Sequence, residues 1–121
     1  MPEKICLAEK FALFTEHWRP KTIASLNGQD VKLVKVQGTF PWHRHDDEDE
    51  FFLVVHGRFR VEFPDHSVDL EPGEAVVVPR GLEHRTAAEE EAEVLIFEPS
   101  SVVNTGNVRD AVYTAPVGAR I

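Results

Sequence analysis

The sequence predicts an all-β domain, an antiparallel sandwich or barrel, and three observations predict it. Short apolar runs recur along the chain with turn signals about every eight to twelve residues, enough for roughly eight or nine strands. Only one segment, near the start, carries helical spacing. Two of the turns, Asn27-Gly28 and Pro72-Gly73, are of the kind that joins antiparallel strands rather than α/β units.

Taken in order, Ile5–Phe14 places Leu7, Phe11 and Phe14 at helical spacing between Pro2 and Pro20. It predicts a short apolar helix that packs on a sheet or on a second subunit. Thr22–Leu26 and Val31–Val36 read as strands joined by Asn27-Gly28, the second with its facing left open. The stretch from Gly38 to Gly57 is the centre of the chain. It sets His43 and His45 one residue apart, so that on a strand both project from one face. Phe51–Val55 then reads as a buried strand with Glu50 at its entrance.

Arg58–Phe63 alternates apolar Phe59, Val61 and Phe63 with charged neighbours, the pattern of one wet and one buried face. Pro64–His66 and Glu71–Glu74 make turns on either side of a short strand, Ser67–Leu70. Ala75–Val78 is a buried strand stopped by Pro79, and the loop Arg80–Leu82 delivers His84, with Thr86 on the same face. Glu93–Glu98 is the last clear core strand. From Ser100 the composition turns polar and irregular, which predicts a tail lying over the domain or a neighbour. The organisation is one domain: helix and first strand over 1–29, barrel core over 30–99, tail over 100–121.

A chain of 121 residues can bury one real core. Its net charge of −8 opposes a nucleic-acid partner, because a polyanion would be repelled. Much of the charge lies in Asp46–Glu50 and Glu89–Glu93, and the second run reads as a solvated loop. Cys6 is the single cysteine, so no intramolecular disulfide forms. With no leader-like start and no membrane-length apolar run, the expectation is a cytoplasmic protein without a membrane partner. There is no Ser-His-Asp set, Gly-rich phosphate loop or dinucleotide fingerprint.

The chemistry lies with histidine and carboxylate. His43, His45 and Glu50 facing one space suit a divalent transition metal, and His84 supplies a fourth ligand. Glu48 competes with Glu50, but Glu50 alone sets the six-residue interval to Gly57. The pattern Gly38, His43-x-His45, Glu50, Gly57 resembles the first motif of the cupin superfamily. Gly73, Pro79-x-Gly81 and His84 resemble the second. Both fall in the correct order with a short spacing, as in the small single-domain cupins often labelled mannose-6-phosphate isomerase-like. Two departures stand out: one residue fewer between Gly38 and His43, and Ala88 where a polar residue is usual.

The resemblance implies a double-stranded β-helix, or jelly-roll barrel, holding one divalent transition metal per chain (iron, manganese, nickel, cobalt, copper or zinc) on His43, His45, Glu50 and His84. An octahedral ion would keep two positions open for substrate or dioxygen, whereas tetrahedral zinc would be filled. The expected function is a metal-dependent enzyme acting on a small oxygenated substrate, by dioxygenase-like or Lewis-acid chemistry. The alternative is a non-catalytic module that binds a sugar or organic acid. Phosphosugar isomerisation is disfavoured, since the loop between His45 and Glu50 is acidic and Arg80 and Arg85 read as solvated. Among other residues, His56 shares parity with Glu50 and is a pocket candidate, His17 and His66 lack motif support, and Trp42 and Phe52 read as barrel lining. An apolar helix and open sheet edges predict a homodimer that buries the N-terminal third.

Overall fold

The computed structural model describes residues 2–115 and 119–121. Its elements are α1 (Leu7–Phe11), β1 (Lys21–Leu26), β2 (Gln29–Thr39), β3 (Glu50–His56), β4 (Phe59–Glu62), β5 (Ser67–Leu70), β6 (Ala75–Val78) and β7 (Arg85–Pro99). All strand pairs are antiparallel, in the order β1-β2-β7-β3-β6, with β4 joining β5 to the start of β7. This is the expected jelly-roll barrel with one short N-terminal helix.

Strand β7 organises the barrel, because its two ends serve different neighbours. Arg85–Ala87 pairs with β4, and Glu93–Phe97 lies between β2 and β3. The expected solvated loop at Glu89–Glu93 is therefore a correction: the run is strand, and Glu89, Glu90 and Glu91 are exposed where β7 slips register against β2. A bulge there lets the strand continue its ladder while its carboxylates stay in water. Gly57 shows why the turn before β4 needs glycine. Its φ is +85°, and a Cβ would lie 2.9 Å from the Glu91 carbonyl and 3.0 Å from Ala92 Cα. The hairpin at Asn27-Gly28 forms as expected, both residues having positive φ.

Strand β2, whose facing the sequence left open, is buried on both sides. Val34 and Val36 enter the barrel core, while Leu33 faces outward beneath Phe11 and Phe14. The N-terminal segment thus packs on the sheet. Its helix is shorter than the predicted Ile5–Phe14, since Cys6 at the N-cap supplies no side-chain cap. The tail also lies over the domain: Val102 and Thr105 are fully buried. Residues 116–118 of that tail lie outside the described residues.

Candidate metal centre

Three segments bring the four predicted residues together. His43 and His45 sit in the loop between β2 and β3, Glu50 opens β3, and His84 precedes β7. The loop is not the strand expected from the alternation of the two histidines. Convergence comes instead from backbone bonds: His43 N–H donates to the His84 carbonyl at 2.9 Å, and His84 N–H donates back at 2.8 Å. Gly81 N–H donates to the His45 carbonyl at 2.7 Å, tying the second loop to the first. The tail braces the same segment, with Arg44 N–H donating to Asn107 Oδ1 at 2.8 Å and Asn107 N–H to the Arg44 carbonyl at 3.0 Å.

All four residues are buried, none more than 5 % exposed, and one ligand atom from each lies within 4.8 Å of the others. The Nδ1 atoms of His43 and His84 are each 2.8 Å from a carbonyl, that of Pro41 and that of Leu82. A carbonyl can only accept, so each Nδ1 carries the proton and each Nε2 keeps its lone pair. His45 Nε2, His84 Nε2 and Glu50 Oε1 have no hydrogen-bond partner, although they lie 2.7 and 3.5 Å apart across Glu50. Such orphans are rare in a buried site and call for a reason. Adjacent ligands on one ion, with bonds of roughly 2.1 Å, sit about 3 Å apart, so the residues fit a shared metal.

The electrostatics agree. Burial, reinforced by His84, lowers the His43 pKa to about 4, which keeps the imidazole in the neutral, ligating form. Burial alone would raise the Glu50 carboxyl, but the His45 imidazole 2.7 Å away outweighs it and holds the pKa low. Glu98 behaves oppositely, pushed well up by burial and by the neighbouring Glu50.

His43 and Glu50 form part of the wall of a small cavity, about 450 Å³ with its open mouth included. Trp18, Phe40, Phe52, Phe59 and Ile96 make its apolar side, and Thr86, Glu98 and Asn104 add polar groups. Phe52 therefore lines the barrel as expected, but Trp42 does not, lying instead under the Arg85 guanidinium at 4.8 Å. The expected competitor Glu48 accepts a bond from Ser101 at 2.8 Å and stands apart from the group. His56 is exposed at its strand end, His17 pairs with Glu91, and His66 with Asp65. Arg80 and Arg85 are engaged by Asp49 and Glu62. Sequence reasoning missed Trp18, Asn104 and the buried pair of Lys32 with Glu98. A strand that alternates only loosely gave no sign that Lys32 points inward.

With this geometry in hand, comparison with known proteins is decisive. Residues 31–98 match the profile described as Cupin domain. The chain belongs to that family. This cupin is similar to a cupin-2 domain containing protein of Shewanella frigidimarina, at 45 % identity and TM-score 0.78 over 78 % of this chain and 93 % of the other. Protein NMB1881 of Neisseria meningitidis is 33 % identical with TM-score 0.73, over 81 % of this cupin and all of its own chain. The uncharacterized protein YdbB of Bacillus subtilis is 33 % identical over 66 residues, 54 % of this cupin and 58 % of YdbB, so the match spans little more than half of that relative.

Proposed function

We propose that this cupin is a metal-dependent enzyme for a small oxygenated substrate, with His43, His45, Glu50 and His84 holding one divalent transition metal. The observation that carries the reading is the convergence of buried, unpartnered ligand atoms at the wall of a cavity. When bound, the ion would supply Lewis acidity toward an oxygen of the substrate or, as ferrous iron, redox chemistry with dioxygen. The chain's own groups do the rest. The Pro41 and Leu82 carbonyls fix the tautomers of His43 and His84. The aromatic wall excludes water and holds the apolar part of the substrate, while Thr86, Asn104 and Glu98 offer polar contacts. Among the described residues, no arginine lines the cavity, which speaks against a phosphosugar.

The largely apolar wall also favours a second reading, a non-catalytic module that uses the metal to hold a ligand. Oxygen uptake by protein reconstituted anaerobically with iron separates the two, using diketones, catechols and thiols as candidates. The enzyme reading expects uptake that needs both metal and substrate and disappears in His84→Ala. Stoichiometric zinc with no turnover of any candidate would favour the binding module.

A further inference from the structure

The backbone that carries His43 and His45 has polar groups on two sides, and the barrel satisfies one of them. His43 exchanges both backbone bonds with His84, and the His45 carbonyl accepts from Gly81 N–H, all toward the second loop. In an extended segment paired this way, the N–H and C=O of the intervening residue point away from that partner. On that far side a single residue of the tail meets both groups of Arg44. Asn107 Oδ1 accepts from Arg44 N–H at 2.8 Å, and Asn107 N–H donates to the Arg44 carbonyl at 3.0 Å. The histidine segment is therefore the middle member of a three-membered ribbon, and the tail is its outer member.

The turn that presents Asn107 is itself anchored. Val102 and Thr105 are fully buried, and the Thr105 hydroxyl donates to the Val108 carbonyl at 2.6 Å. Gly106 has a φ of +57°, and a Cβ there would overlap the Arg44 carbonyl and come within 3.2 Å of His43 Cδ2. Only a residue without a side chain lets the turn lie this close to a ligand imidazole. The family match ends at residue 98, so the turn stands outside the segment that defines a cupin.

We propose that the Gly106–Asn107 turn is a positioning element of the metal centre, fixing the backbone between His43 and His45 so that both imidazoles meet one ion. This rests on the reading of His43, His45, Glu50 and His84 as its ligands. A loose ligand loop would lose conformational freedom at each binding event, whereas a clamped one has lost it on folding. Gly106 and Asn107 act through the backbone that carries the ligands, not as ligands.

Cobalt(II) is the probe, because its visible absorption reports coordination geometry without any turnover. In Asn107→Ala, cobalt affinity measured by chelator competition should fall about tenfold, the size typical of groups that orient metal ligands, and the bands should shift. Asn107→Asp keeps an oxygen to accept from Arg44 N–H and should restore both. Asn107 is exposed, so its replacement empties no core, and the metal-free thermal midpoint should hold. Gly106→Ala, which drives a Cβ into the Arg44 carbonyl, should shift the bands as well. Wild-type affinity and bands in Asn107→Ala overturn the assignment, as does a loss that Asn107→Asp fails to restore. A lowered midpoint with unchanged bands marks a tail that only stabilises the fold, and overturns it too. A wild type that takes up no cobalt contradicts the metal centre itself, a failure distinct from that of the turn.

Discussion

At the scale of single residues, the site is defined by which nitrogen keeps its proton. The carbonyls of Pro41 and Leu82 hold Nδ1–H of His43 and His84, so removing a ligand should release the metal rather than let another atom replace it. His45→Ala and His84→Ala are each expected to lower metal occupancy and melting temperature together, because binding is coupled to folding. His66→Ala, exposed and paired with Asp65, should change neither. Elemental analysis and calorimetry of the purified variants check this. The depressed pKa of His43 adds a pH dependence in metal-free protein. The unfolded chain takes up a proton near pH 6.5 that the folded chain refuses until about pH 4. Stability is then full above 6.5 and declines as pH falls toward 4, by about 3 kcal/mol from this group. Urea unfolding between pH 8 and 5 reads it; a flat profile would refute the buried neutral histidine.

At the scale of elements, what was legible followed the strength of local patterns. Ser67–Leu70 and Ala75–Val78 stand where turn residues and apolar runs set them, and the two histidine motifs name all four residues of the group able to hold a metal. The exposed glutamates of β7 hid eight further residues of strand, because a bulge lets a wholly charged stretch continue a ladder. The Lys32–Glu98 pair was invisible for a related reason: its members are 66 residues apart, and only the β2–β7 register brings them together. Register also explains the glycines. Gly57→Ala should cost roughly 2–5 kcal/mol, adding overpacking against β7 to left-handed strain. Gly81→Ala, with φ +78° but open space around it, should cost only the strain, roughly 1–2 kcal/mol. Thermal unfolding of the two variants side by side tests that order.

At the scale of the whole molecule, the barrel is closed around its site by elements from both ends of the chain. The N-terminal segment covers the outer face of β2, and the tail clamps Arg44 between His43 and His45. Among the described residues, no helix is long and apolar enough to cross a membrane. Ile5, Leu13 and Leu26 remain exposed in the N-terminal third, and we propose that a second copy covers them in a homodimer. Analytical ultracentrifugation should find a dimer at micromolar concentration, and a monomer there would refute it. The central claim is that the buried His43, His45, Glu50 and His84 form a metal centre. It is tested most directly by elemental analysis of untagged protein prepared without chelator, beside a sample reconstituted anaerobically with iron. The account predicts close to one transition metal per chain, bound in the wild type and lost from His45→Ala. A wild type that holds no metal in either preparation would contradict it.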